Sequence, residues 1–253
     1  MAKPILLLRL EGPLQAWGVR SRWDVRDTGT EPTKSGIIGL LGCALGYPMH
    51  DPRLESELNA GLRFGVRVEH PGTVTVDYQT ITDYLPTAAG QYKSRGGVKS
   101  WDAIQREGDL PATIISPRAY LEDAAFLVAL EERPAFYGLV ARCAQALQAP
   151  QWPLFLGRKA CIPTRPIFEG CVTTYDGLED ALAQHPWEWL GACHGRRKYK
   201  PADLVAYIED ETGDLLRQDA IRINAARTYD FRPVRRASFK PVPPPDPVAP
   251  VEA

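Results

Sequence analysis

Residues 32–46, Pro-Thr-Lys-Ser-Gly-Ile-Ile-Gly-Leu-Leu-Gly-Cys-Ala-Leu-Gly, constrain the fold more than any other stretch of the chain. Ile37, Leu40, Leu41, Ala44 and Leu45 recur at helical spacing and predict an apolar stripe lying on a core. Gly36, Gly39, Gly42 and Gly46 fall on the other side. A glycine inside a helix costs about 1 kcal/mol relative to alanine, so a solvated face gains nothing from them, whereas a face closely approached by another backbone does. Thr33 suits the N-cap. Lys34, Ser35 and Gly36 then set a cation, a hydroxyl and free amides at the positive end of the helix dipole, where a phosphate is favoured. The plainer alternative is a helix packed tightly on both sides.

Around this helix the apolar periodicity predicts an α+β order. Residues 4–10 read as a central strand buried on both faces. Residues 12–31 are too polar and turn-rich for an element, and a loop of that length mixing Gln15, Trp17, Arg20, Arg22, Trp23 and Arg26 offers flat surfaces and cations together. The alternative for both tryptophans is core anchoring. Residues 62–69 alternate with period two, as a strand with one wet face, and 74–82 continue strand-like. Between 83 and 117 the periodicity vanishes into Gly, Lys, Arg, Ser and Tyr, a protruding arm that includes Lys93, Arg95 and Lys99. A strand returns within 119–130, and 134–148 give a second amphipathic helix. The order strand, helix, strand, strand, arm, strand, helix suggests, apart from the arm, the ferredoxin-like plan, its last strand still to come or displaced. In the loop 150–170, Gly157 permits a sharp turn that presents Arg158 and Lys159 together, as a phosphate-gripping corner would. An acidic helix at 176–184, the basic run 194–200, a strand near 204–209 and a basic segment 224–240 follow. Residues 241–253, with six prolines, predict an extended, disordered tail.

The totals exclude several classes of function. The net charge of −1 argues against a surface coated in nucleic acid, yet basic residues cluster at 93–106, 158–165, 196–200 and 217–240, which suits a local groove. Five widely spaced cysteines without a Cys-x-x-Cys, and no clustered histidines, predict reduced thiols and no metal site. No cofactor is expected. The absence of a leader or a membrane-length apolar run predicts a cytoplasmic protein without a membrane partner.

Several motifs in order resemble one family. Gly12-Pro-Leu-Gln-Ala-Trp-Gly18, Arg26-x-Thr28-Gly29, Pro32-Thr-Lys-Ser-Gly36-x-x-Gly39-Leu-Leu-Gly42 and Leu156-Gly-Arg-Lys-x-Cys161-x-x-Thr164-x-Pro166 are similar to the CasD subunits of type I-E CRISPR Cascade. Asp83-Tyr84, Arg95-Gly-x-x-Lys99-Ser100, Arg118-x-Tyr120-Leu121 and Phe231-Arg-Pro-Val-Arg-Arg236 follow the family more loosely. The resemblance implies a ferredoxin-like (RRM-like) RAMP domain over 1–170, a long thumb hairpin inserted at 83–117, and a small C-terminal β region over 171–240. It implies a non-catalytic subunit that grips the 5′ handle of the crRNA beside the large subunit and the first backbone subunit. It further implies a separate repeat endoribonuclease in the same complex and a position within reach of target DNA near the protospacer-adjacent motif. The RNA-binding residues expected are Gln15, Trp17, Arg26, Lys34, Ser35, Gly36, Gly39, Lys93, Arg95, Lys99, Arg158 and Lys159.

Two rival functions are open to the same sequence. Type I-C relatives resemble metal-independent endoribonucleases that cut repeat RNA, chemistry that needs a base, an acid and a cation. Tyr47 and His50 are the nearest candidates, but no histidine is visibly paired with another catalytic residue type. An RNA binder acting alone would need a broadly basic surface to release counterions, and this chain has patches only.

Overall fold

The computed structural model describes residues 3–19, 25–190, 200–223 and 227–244. Arg20, Arg22, Trp23, the basic run as far as Tyr199 and the tail from residue 245 lie outside the described residues. In chain order the elements are β1 (Ile5–Glu11), β2 (Leu14–Gln15), α1 (Lys34–Leu45), β3 (Leu62–His70), β4 (Thr73–Asp83), β5 (Tyr92–Ser94), β6 (Gly97–Lys99), α2 (Trp101–Glu107), β7 (Ala112–Glu122) and β8 (Ala125–Glu132). They continue with α3 (Leu139–Gln148), β9 (Phe168–Val172), α4 (Leu178–Gln184), β10 (Leu204–Glu209), β11 (Leu215–Ile223) and β12 (Arg227–Phe239).

A seven-stranded sheet of order β11-β12-β10-β3-β8-β1-β9 forms the centre, and every neighbouring pair in it is antiparallel. β1 is buried at each of its positions because the sheet is covered on both faces. Leu6, Leu8 and Leu10 point with Phe64, Phe126 and Val128 into the core beneath α1 and α3. Ile5 and Leu7, alternating to the other side, join Leu127, Ala129 and Ile208 under Leu178 and Leu182 of α4.

This double cover corrects the expectation of a wet face on β3. Arg67 and Glu69 are wholly buried beneath α4. Arg67 donates to Glu69 at 2.6 Å and to the carbonyls of Leu182 and His185 at 2.5 and 2.8 Å, so a strand cation satisfies the carbonyl end of the helix. Arg9 on β1 closes the network through Glu69 at 3.0 Å and Glu169 at 3.3 Å.

Other boundaries also shift. The return strand expected within 119–130 is two strands, β7 and β8, separated by a turn in which Asp123 takes φ 55. The helix expected at 134–148 begins only at Leu139, after a short 3-10 turn at Pro134–Phe136. β9 pairs with β1, and β10 pairs with β3, so residues beyond 170 extend the same sheet. β11, which alternation did not reveal, is its outer edge. That edge is covered rather than open: a π-helical segment, Leu54–Asn59, sends Glu55 to the Ile223 amide at 2.6 Å and Asn59 to the Ile221 amide at 3.4 Å.

The polar excursion is carried by a ribbon that starts ten residues before Asp83. β4 and β7 pair from Thr73↔Glu122 to Asp83↔Ala112, and β2 adds to the base of β7. The β5–β6 hairpin and α2 form the tip. Asp109 organises it by accepting from Ser94 at 2.6 Å and Lys99 at 3.0 Å, and these two groups hold its carboxyl down to about 2. No helix among the described residues is long and apolar enough to cross a membrane.

Candidate nucleic-acid interface

Thr33 caps α1 as its sequence predicts, accepting from the Gly36 amide at 3.2 Å. Gly46 ends the helix in the left-handed conformation at φ 74. The glycines between divide into two kinds. A Cβ on Gly36 would stand 2.9 Å from the Trp17 ring, and one on Gly42 would stand 2.6 Å from Leu54, so the tight-packing reading holds at both. Gly39 has nothing within 4 Å. It opens into a cleft of about 530 Å³ that also receives Trp17, Ser35, Tyr47, Met49, Trp152, Phe155, Lys159 and Tyr229.

The loop ahead of α1 builds one wall of this cleft from the inside. Gln15 is wholly buried; its amide donates to the carbonyls of Leu10 at 3.1 Å and Ala124 at 2.6 Å, and its oxygen accepts from the Trp17 indole at 3.0 Å. The Trp17 amide donates to Thr28 at 2.9 Å, and its carbonyl accepts from Gly29 at 2.6 Å. Trp17 itself is 1 % exposed. Of the roles open to them, Gln15 and Trp17 order the loop, and neither keeps a polar atom for a base.

Lys34 and the helix N-terminus require a second correction. The Lys34 ammonium is buried against Glu209 at 2.9 Å, and burial lowers its pKa. Its backbone amide donates to Asp219 at 2.7 Å. The anion favoured at this helix end is therefore a carboxylate of β11, held in turn by Arg232 at 2.9 Å. A cavity of about 270 Å³ beside Asp219 is lined by charges already paired in this way, including Glu31 with Arg217 at 2.6 Å.

Gly157 takes φ 94, and a Cβ there would come within 1.8 Å of the Ala16 carbonyl oxygen, so both conformation and space require glycine. The turn it makes separates its two basic neighbours. Arg158 donates to the carbonyls of Ala119 at 2.9 Å, Arg26 at 3.1 Å and Asp27 at 3.0 Å, and lies over the Tyr120 ring. It staples the 26–27 segment to β7, and among the described residues its guanidinium meets no carboxylate there. Lys159 is exposed and lines the cleft.

On the arm, Lys99 pairs with Glu107 at 2.6 Å as well as with Asp109, so it braces the tip. Of the cations expected to bind RNA, Arg26, Lys93, Arg95 and Lys159 are exposed and outside any ion pair among the described residues. The fold thus gathers Trp17, Ser35, Gly36, Gly39 and Lys159 around one cleft, turns Lys34 away from it, and carries Lys93, Arg95 and Lys99 to the end of the ribbon.

Sequence reading missed Trp152, Phe155 and Tyr229 as cleft residues. Trp152 and Phe155 had a signal, two aromatics on a proline-flanked turn just after a helix. Tyr229 had none, because its strand reaches the cleft only through long-range pairing. Tyr47 donates to Glu57 at 3.2 Å, with the Arg53 guanidinium over its ring, and burial followed by the Glu57 carboxylate raises its pKa. A phenol so held keeps its proton. Burial likewise raises the Cys43 thiol.

Known proteins resemble the chain along most of its length. A family model described as CRISPR-associated protein (Cas_Cas5) matches residues 5–237. The CRISPR system Cascade subunit CasD of Escherichia coli (strain K12) is 33% identical over 183 residues, covering 72% of this chain and 77% of the relative. A chain of a solved CRISPR RNA-guided surveillance complex superposes with a TM-score of 0.65 at 28% identity, covering 94% of this chain and 90% of its own. The crystal structure of a Cas protein gives a TM-score of 0.64 at 34% identity, over 96% and 100% of the two chains. With its glycine-faced helix, its Gly157 turn and a match that spans nearly the whole sequence, this chain belongs to the Cas5 family of CRISPR-associated proteins.

Proposed function

We propose that this chain is the non-catalytic subunit of a type I-E Cascade surveillance complex that grips the 5′ handle of the crRNA, capping the assembly beside the large subunit. The observation that carries this reading is the cleft. Gly39 offers backbone without a side chain, Trp152 and Phe155 offer aromatic faces, and Lys159 offers an uncommitted cation. Single-stranded RNA is recognised by that combination of stacking surface, close backbone approach and phosphate charge. The four strands β9-β1-β8-β3, with α1 and α3 on one face, support a ferredoxin-like core. The β4–β7 ribbon is the thumb, and β10 to β12 are the C-terminal β region. Lys93 and Arg95 at the ribbon's end supply charge along the guide.

A denaturing gel, for cleavage, and a native gel, for retention, test the reading. The purified chain is incubated without metal with its own labelled repeat RNA and with a mature guide, and the guide is then offered to the reconstituted complex. Intact repeat, weak binding by the isolated chain and tight retention in the complex are expected. Specific cut products at the repeat stem would overturn the non-catalytic assignment.

A further inference from the structure

Thr33 lines two openings. One is the cleft; the other is the cavity of about 270 Å³ between the 28–32 segment and the central sheet, where Phe64, Val66 and Val234 are buried. The charges on the wall of this cavity cancel: Glu31 holds Arg217 at 2.6 Å, and Asp219 accepts two bonds of 2.9 Å from Arg232. One donor is left over. The Arg232 side chain is 7% exposed, and its Nη1 has no hydrogen-bond partner among the described residues. The Glu209 carboxylate stands 4.0 Å from it, beyond hydrogen-bond reach. A buried donor without a partner forfeits its hydration for nothing, so the wall is completed by an acceptor that these residues do not supply.

That wall decides the class of ligand. With two carboxylates against two guanidiniums a phosphate finds no net positive charge, whereas the cleft offers it Lys159. An aliphatic chain would leave Nη1 unpaired. The sheet side is built of flat groups: the Arg232 guanidinium lies 5.2 Å over the Phe64 ring, and that of Arg217 lies 5.2 Å over Tyr207. Bases stack on guanidinium planes as they do on aromatic rings. At the exposed rim Gln218 donates to the Tyr229 carbonyl at 3.3 Å, which leaves its own carbonyl oxygen to accept. A donor and an acceptor around a flat, mainly apolar space match a base edge that carries a ring acceptor beside an exocyclic amine. The volume falls below the ~300–1,000 Å³ of pockets for drug-sized ligands, so the space suits one ring system. We propose that this cavity binds one uncharged nucleobase, its ring-nitrogen or carbonyl acceptor on Arg232 Nη1 and its amine on Gln218. A free nucleoside and a base of the bound guide share that chemistry. The site goes beyond the handle reading, because Thr33 is all that it shares with the cleft.

Saturation-transfer NMR on the full chain, with adenosine, cytidine, guanosine and uridine as probes, tests the site. Transfer to the three amine-bearing nucleosides is expected, with about threefold less to uridine. Because Arg232 also holds Asp219, the deciding variant is Gln218→Trp, which plugs the exposed rim; it should melt as the parent does and lose the signal. No transfer to any nucleoside in the parent, equal transfer to uridine, or an undiminished signal in Gln218→Trp would overturn the inference. The reconstituted complex with guide RNA then separates the two sources, with the photo-cross-linker p-benzoylphenylalanine at the exposed Thr30. A cross-link to the guide assigns the cavity to a guide base, and a nucleoside signal that survives there without one assigns it to a free nucleoside. Neither result would mean that the assembled protein does not use the cavity for a base, which also overturns the proposal. Failure of the handle reading is distinguishable: guide retention would then ignore Lys159→Ala, while nucleoside transfer to the full chain and its loss in Gln218→Trp persist.

Discussion

The carboxylate of Asp219 accepts a hydrogen bond from the backbone amide of Lys34 at 2.7 Å, so β11 caps the first turn of α1 from 185 residues away in sequence. The same carboxylate holds the Arg232 guanidinium through two bonds of 2.9 Å. Removing one partner of a buried pair strands the other, at a cost of about 3–5 kcal/mol. Asp219→Ala should therefore lower unfolding free energy in urea by about that amount. Asp219→Asn, which keeps an acceptor for the amide, should recover part of it. An alanine variant as stable as the parent would show that this junction does not hold α1 to the C-terminal strands.

The two kinds of glycine on α1 should respond oppositely. Gly36→Ala drives a methyl into the Trp17 ring and should destabilise by about 1–3 kcal/mol, as overpacking does. Gly39→Leu meets open space and should fold with unchanged or slightly higher stability, by up to about 1 kcal/mol from helix propensity. It should nevertheless weaken guide retention by filling the cleft. Thermal melts paired with a filter-binding assay on the assembled complex separate the two effects. Normal retention by Gly39→Leu would remove the cleft from the RNA path.

Arg158 and Lys159 are adjacent in sequence but should part in a salt titration. Lys159→Ala should leave the melting temperature alone and reduce the salt slope of RNA binding by about 0.7, the share of one phosphate contact on a single strand. Arg158→Ala removes three hydrogen bonds to carbonyls, so it should lower stability first, with RNA retention falling as the 26–27 segment loosens. An Arg158 variant that melts normally would contradict the staple.

Acid stability should depend on Glu169. His185 donates to it at 3.1 Å, and with Arg9 and Arg165 nearby its carboxyl is held down to about 2. A depressed folded-state pKa means that the ionised form stabilises the fold above the ordinary carboxylate range, and that this contribution is lost as pH falls toward 2. At pH 7 the contribution is on the order of 3 kcal/mol. Glu169→Gln should thus be clearly less stable than the parent at pH 7. The gap should close between about pH 5 and pH 2, as followed by urea midpoints across pH. A gap that stayed constant down to pH 2 would mean the carboxylate's charge is not what matters.

The sequence by itself determined the parts whose information is local or periodic. A nearly continuous apolar run from Ile5 to Leu10, broken only by Arg9, made β1, 3.6-residue spacing with Thr33 before it and Gly46 after it made α1, and the loss of periodicity after Asp83 marked the arm. The motif around Gly157 was legible for the same reason, since a positive φ against the Ala16 carbonyl admits one residue type. Tertiary structure decided which polar groups remain available. Lys34, Gln15 and Arg158 carry the same chemistry as residues that bind RNA, and nothing local to them reveals that Glu209, Ala124 and Ala119 stand opposite. β3 looked half-wet because its alternation is that of a surface strand, and it is buried only because α4 brings its carbonyl end over Arg67. The cleft divides along the same line: Gly39 and Lys159 were readable as a bare backbone and a cation, while Tyr229 reaches them only because β12 pairs into the sheet far from its place in sequence. Propensity and spacing act over a few residues, whereas the partner of a buried polar group is set by long-range register, which no short window of sequence contains.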